Sequence, residues 1–307
     1  MKLIAPDYYP QFQCIADRCR HSCCIGWEID VDEDSLKQYA QLPGELGAEI
    51  RANIVTEDGT AHFRLAGQDR CPFLNEQGLC RMILGFGEDV LCQICRDHPR
   101  FVNEFADHTE VGLGLSCEAA AELVLTQERP MQLITLEDDG EAGEEEEYET
   151  YLFALRGQLL GLLEDESWSF EERLGNILDL CGVSLPEKSG AQWAERYRAL
   201  ERLDGAWDAV LDTLALPERP LGGEWDRAFV NLAAYFLYRH LPAAVYDGEP
   251  EIYAAFAVLS VQIVRRLFAA APEQSMDALV ELTRMYSAEI EYSPENTEAL
   301  LELLREG

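Results

Sequence analysis

Apolar side chains in the second half of the chain recur at helical spacing. Trp225, Phe229, Leu232, Phe236 and His240 lie three or four residues apart, which puts them on one face of a helix. Tyr253, Phe256, Leu259, Ile263 and Leu267 repeat the pattern, and Leu300, Leu303 and Leu304 form a shorter amphipathic end. Leu216-Pro217, Leu241-Pro242, Ala271-Pro272 and Ser293-Pro294 divide these segments, because proline cannot continue a helix. No series of alternating strands stands out and no period suggests repeats. The pattern predicts an all-helical domain over residues 150–307, packed as an antiparallel bundle. The most apolar stretch, from Ala254 to Ala271, is interrupted by Gln262, Arg265 and Arg266, which predicts a buried helix and not a membrane span. The aromatic face, His240 and Cys181 all read as packing residues.

The first part of the chain lacks this regularity. Ile29-Asp30-Val31-Asp32-Glu33-Asp34 has the look of a calcium loop, but Ser35 stands where the loop needs Gly and Gln41 where it needs Glu. Asp32 reads better as a helix N-cap, with Glu33 and Asp34 favouring the helix dipole. Gly112-Leu113-Gly114 reads as a tight turn entering a helix capped by Ser116. An acidic stretch from Glu137 to Glu147 predicts a linker or exposed loop, assigned to residues 131–149.

Composition adds two constraints. A hydrophobic share of 48% is enough for sizeable cores, so general disorder is excluded. The 24 Lys+Arg against 58 Asp+Glu give a formal net charge of -34, which repels nucleic acid and anionic lipid and attracts a basic partner. Pro6 and Asp7 stop the opening apolar run, so no secretory signal is read and a cytoplasmic location is expected.

The candidate chemistry lies in the cysteines. Of the 10, nine fall between Cys14 and Cys117, which predicts a cysteine-rich, irregular metal-binding domain over residues 1–130. Disulfides rarely persist in the cytoplasm, so metal ligation is the usual explanation for such a set. The clusters are Cys14-x4-Cys19-x3-Cys23-Cys24, then Cys71 and Cys80, then Cys92-x2-Cys95, followed by Cys117. Short loops let neighbouring thiolates converge on a metal, and the irregular spacing favours iron–sulfur, with zinc as the alternative. Nine thiols exceed one four-ligand site, so either two sites exist or several thiols lie outside the coordination sphere. His21 and His98 read as orienting groups.

These clusters also carry a resemblance. Tyr9-x2-Phe12-x-Cys14-x4-Cys19-x3-Cys23-Cys24-x2-Trp27, then Cys71-x-Phe73-Leu74-x3-Gly78-Leu79-Cys80, then Leu91-Cys92-x2-Cys95-x2-His98-Pro99-Arg100 resemble the flagellin lysine-N-methylase family. That family sits within a wider group of zinc- or iron-chelating proteins with a CxxCxxCC signature. The ending Glu289-Ile290-Glu291-Tyr292-Ser293-Pro294-Glu295-Asn296 is similar to the same branch. The resemblance implies methyl transfer from S-adenosylmethionine to surface lysines of flagellin, with a [4Fe-4S] cluster on the cysteines. The residues themselves supply no Gly-rich nucleotide fingerprint and no C-x3-C-x2-C motif, and they name neither a catalytic base nor a cofactor-binding residue. A metal-binding or redox-sensing protein that shares only the cysteine domain is the competing expectation, and iron–sulfur electron transfer is a third.

Overall fold

The computed structural model describes residues 1–140, 143, 146–217 and 219–306. It is mainly α, as expected, and divides into two units. One comprises Met1–Phe12, Val102–Ser116 and Ala120–Gly307; the other comprises Gln13–Phe101 and Cys117–Ala119.

In the first unit the helical periodicity is realised. The helix Pro250–Ala270 is its centre, and it packs against Phe170–Cys181, Asp226–His240, Met276–Tyr286 and Pro294–Arg305. It is long and apolar enough to cross a membrane, but Tyr253, Phe256, Leu259, Ile263 and Leu267 are all buried inside the unit. The prolines act where the sequence placed them. Ala271 caps the end of the central helix just before Pro272, and Pro294 occupies the first turn of the last helix. Two helices begin with a complete capping box, Ser169 with Glu172 and Ser189 with Gln192.

This unit also contains a four-stranded sheet, which the periodicity did not predict. Lys2–Pro6 lies between His108–Leu113, its parallel neighbour, and Leu133–Asp138, its antiparallel neighbour; Arg100–Glu104 completes the sheet beyond His108–Leu113. Lys2 pairs with His108 on one side and with Asp138 on the other. These units divide the chain at other residues than the expected 130 and 150. The first residues and residues 102–116 belong with the helices because their strands pair there. The expected linker 131–149 holds a strand, Leu133–Asp138, and the first residues of the helix Glu147–Leu163. Its Glu141, Ala142, Glu144 and Glu145 lie outside the described residues. Gly112 and Leu113 are strand residues and not a tight turn, and Ser116 does not cap the helix Glu118–Leu125, since its buried hydroxyl has no hydrogen-bond partner.

The second unit has short elements and little regular structure. Two helices, Glu33–Gln41 and Gly44–Ala52, precede a hairpin of Ile54–Glu57 and Thr60–Phe63. Two further helices, Arg81–Phe86 and Gln93–Asp97, follow. Its core combines Ile29, Val31, Tyr39, Ile50, Phe63 and Phe73 with the thiols of Cys71 and Cys92.

Candidate metal centre

Cys80, Cys92 and Cys117 sit just before short helices and Cys95 lies within one, whereas Cys14, Cys23 and Cys24 lie in irregular chain. Asp32 caps the helix Glu33–Gln41 as expected, accepting from Ser35 N at 2.9 Å, and its other oxygen accepts from Gln93 N at 2.8 Å. The carboxylate therefore fixes two helix starts, one of them the helix capped by Cys92. Burial opposes ionisation of Asp32, but the amide donors Gln93 and Ser35 outweigh it and lower its pKa to about 2.

The loop from Cys71 to Cys80 is folded by its own polar groups. Asn75 Oδ1 accepts from Gln77 N and Leu79 N, both at 2.9 Å, and Arg70 Nη2 donates to Asn75 O at 2.7 Å. Gly78 turns the chain at φ +75, a conformation that side-chain-bearing residues rarely adopt. Leu74 and Cys80 form an isolated bridge. Cys71 N donates to Cys24 O at 2.8 Å, which ties this loop to the first cysteine cluster.

The fold packs five of the nine candidates around one core. Cys71 and Cys92 are buried, and Cys24, Cys80 and Cys95 pack against the same core. Cys24 accepts hydrogen bonds from the thiols of Cys23 and Cys71, which lower its pKa to about 3. The Cys95 thiol donates to Cys92 and lowers its pKa, while the donor's own pKa rises. Cys24 and Cys92 are thus the thiolate-favouring members of these hydrogen-bonded pairs, whereas a bound metal would require each of its cysteine ligands to lose its proton. Cys80 accepts from the amides of Ile83 and Met82, yet burial prevails and keeps its pKa raised. The His98 ring lies 6.1 Å from Trp27 beside this group, and burial lowers its pKa.

The other four candidates lie outside that core. Cys14 is exposed and its sulfur accepts from Ala16 N at 3.4 Å. Cys19 donates to His21 O at 3.0 Å, with Glu118 Oε2 at 3.8 Å and Cys117 in its electrostatic neighbourhood. Cys23 bridges the two groups through its bond to Cys24. Glu118 is held by Arg20 through Nε at 2.6 Å and the backbone N at 2.9 Å. All 10 cysteines are free thiols. Among the described residues no three His, Cys, Asp or Glu side chains surround one point closely enough to hold a metal ion as they stand. The donors have the right chemistry for a thiolate-bound metal, and their side chains engage one another in thiol–thiol hydrogen bonds, Cys24 with Cys23 and Cys71, and Cys92 with Cys95. Cys181, far along the chain, is half-buried, and burial, with Glu251 nearby, raises its pKa to about 11.

The helical unit holds a second polar centre that sequence reasoning missed. Glu291, fully buried, accepts from His240 Nε2 at 2.6 Å and Tyr235 O–H at 2.9 Å, with Arg239 Nε at 3.3 Å. Burial opposes its ionisation; Arg239 and His240 overcome this and leave its pKa lowered. Glu291 ends a π-helical turn, Ser287–Glu291, and Tyr292 covers the Arg239 guanidinium at 5.2 Å. Gly114 is glycine because a Cβ there would collide with the Tyr292 hydroxyl and Arg239. Asn296, in the same C-terminal string, donates to Glu289 O at 2.7 Å and Glu201 O at 2.9 Å. The string Glu289 to Asn296 thus clamps the last turns of the chain. Its signal was present in the sequence, as Arg239-His240 at a helix end together with Glu291, but not the pairing of the two.

Fold and thiol set define a class: a mainly helical protein with a separate cysteine-rich unit. Comparison with known proteins is more specific. The chain is 26% identical over 134 residues to the Lysine-N-methylases of Salmonella typhimurium and Salmonella choleraesuis, which is 42% of this chain and 33% of each of those proteins. It is equally similar to the flagellar biosynthetic protein FliU of Salmonella muenchen, of which the match covers 79%. The match thus spans about a third of the length of the two Lysine-N-methylases. These similarities support the relationship to the flagellin lysine-N-methylase family that the cysteine strings suggested. No family model matches, and no solved structure does.

Proposed function

We propose that this protein is a cytoplasmic, S-adenosylmethionine-dependent protein-lysine N-methyltransferase that acts on surface lysines of flagellin and carries a [4Fe-4S] cluster. The observation that carries the reading is the 134-residue similarity to proteins named Lysine-N-methylase and FliU. The thiol core supports the metal. Four of Cys24, Cys71, Cys80, Cys92 and Cys95 would hold the cluster, since these five share one packed core. A cluster there would supply one-electron chemistry and a cross-link for a unit with few regular elements. Zinc on the same thiols is the alternative metal. Methylation requires a neutral lysine amine, and burial of its stem would favour that form. The test is anaerobic purification with iron and acid-labile sulfide analysis, then incubation with S-adenosylmethionine and flagellin, read by mass spectrometry. The result expected is iron and sulfide together with methyl-lysine on flagellin; intact cluster without methyl-lysine would refute the enzyme.

A non-enzymatic metal-binding or redox-sensing role is the second reading. It is favoured by the four thiols outside the core, of which Cys14 and Cys23 are exposed. Exposed thiols suit reversible oxidation better than buried ones.

A further inference from the structure

One end of the helical unit carries exposed aromatic rings among carboxylates. Tyr151, in the helix Glu147–Leu163, is 53% exposed. Tyr246 is 85% exposed, in the short helix Ala244–Asp247 that packs against Glu147–Leu163. The rings of Tyr148 and Tyr151 lie 6.0 Å apart. Burial, with Asp247, Tyr151 and Glu251 nearby, raises the pKa of the Tyr148 hydroxyl. Glu251 also stands beside Cys181, at the end of the helix Phe170–Cys181. Two groups in this cluster are unfilled among the described residues. The Tyr148 hydroxyl is buried and has no hydrogen-bond partner. Glu251, half-buried in the first turn of Pro250–Ala270, has neither a hydrogen bond nor an ion pair. Asp247 is committed, because it accepts from Tyr253 O–H at 2.7 Å and has Arg305 Nη2 at 3.6 Å. Carboxylates accept hydrogen bonds and do not donate them, so they cannot satisfy the Tyr148 oxygen. A cation bearing N–H groups satisfies that oxygen and the Glu251 charge together. Exposed rings strengthen the match, since a tyrosine face attracts an ammonium group.

We propose that Tyr148, Tyr151 and Glu251, with Tyr246 alongside, form a docking site for a lysine side chain on the surface of a partner protein. The ammonium donates to the Glu251 carboxylate and the Tyr148 oxygen and lies against the Tyr151 ring. Lysine fits because its ammonium is a compact charge with three donors on a long apolar stem. The proposal rests on the reading above only in naming flagellin as that partner. Glu251 favours the charged form of the bound lysine, whereas methyl transfer needs the neutral amine. The docked lysine is therefore a handle that holds the partner, and a different lysine is the one methylated.

The experiment is calorimetric titration of the full chain, without S-adenosylmethionine, using an end-blocked trilysine peptide and then flagellin. Tyr151→Ala and Glu251→Gln should each weaken binding by about two- to five-fold. Glu273→Gln makes the same change of charge at an exposed position beyond the far end of Pro250–Ala270. That helix is about 30 Å long, so Glu273→Gln should leave the affinity unchanged. Equal weakening by Glu273→Gln would assign the effect to net charge and overturn the site. No binding by unaltered protein, or full affinity in Tyr151→Ala and Glu251→Gln, would overturn it as well. Tyr148→Phe removes only the unpartnered hydroxyl, so Tm should hold while affinity falls. A lower Tm with unchanged affinity would make that hydroxyl structural and remove it from the site. Flagellin that binds here yet gains no methyl-lysine once S-adenosylmethionine is added would sink the methylase reading and keep the docking site. Methylation with one KM across all the variants would do the reverse.

Discussion

At the residue scale, the helical unit is held partly by charges that cannot be parted. Arg156 grips Glu110 through both nitrogens, at 2.7 and 2.5 Å, and the two side chains are 5% and 1% exposed. Arg156 also lies over the rings of Phe153 and Tyr238. Glu110→Gln leaves a buried guanidinium without its counter-charge, a change that costs on the order of 3–5 kcal/mol. A urea titration should show the midpoint falling accordingly. The pH dependence follows from two groups of opposite sign. Burial raises the pKa of Glu110, but the bonds from Arg156 and His108 outweigh it and leave it lowered. Its contribution is therefore full above the unfolded carboxyl pKa, roughly 4, and is lost as pH falls through the lower folded value. Burial would depress the pKa of His108, yet Glu110 and Asp107 raise it. That contribution is full below the unfolded imidazole pKa, roughly 6.5, and fades as pH rises through the folded value. Urea midpoints measured across pH should form a dome between these limits, and Glu110→Gln should flatten its acid side. None of this was legible in the sequence, because Glu110 and Arg156 stand 46 residues apart and nothing local marks either as buried.

At the element scale, local chemistry decided what could be read. The Asp32 cap, the helix breaks at proline and the helical faces were all legible, since each depends on residues within one or two turns. The capping boxes at Ser169 and Ser189 carried an equally local signal, S-x-x-E/Q, which would have sharpened two helix starts. The sheet was not legible. Lys2–Pro6 finds its partners more than 100 residues away, and Leu133–Asp138 is short and ends in acidic residues. Of the nine candidate ligands, the clustering predicted proximity, but only the fold separates the five core thiols from Cys14, Cys19, Cys23 and Cys117. Two substitutions test how this unit is built. Asp32→Ala removes a helix cap and the bond to Gln93, and should destabilise the cysteine-rich unit by about 1–2 kcal/mol. Gly78→Ala forces a Cβ into the left-handed region and should cost roughly 1–2 kcal/mol. Thermal unfolding followed by Trp27 fluorescence reports on this unit, and an unchanged melting temperature in either variant would show that its capping and turn geometry contribute nothing.

At the scale of the whole molecule, the dominant property is the formal net charge of -34. Charge of this size concentrates cations around the surface and raises their encounter rate, whatever the chemistry that follows. If the substrate is a lysine-bearing protein surface, methylation should be fast at low ionic strength and slow as salt screens the field. The screening length falls from about 30 Å at 0.01 M to about 3 Å at 1 M, so the change should be large over that range. The effect belongs to encounter, so it should appear in kcat/KM and leave kcat nearly constant. The same acidity works against the chemical step, because a carboxylate beside the incoming ammonium raises its pKa while burial lowers it. Only the neutral amine attacks, so the rate should climb with pH until the bound lysine loses its proton. Initial rates of flagellin methylation across salt and pH, with cluster content held constant, separate the two effects. A kcat/KM that ignores salt would remove electrostatic steering and leave the proposed methylation standing. A kcat that falls with salt while KM stays fixed would place the dependence at the chemical step, within the site that binds the lysine.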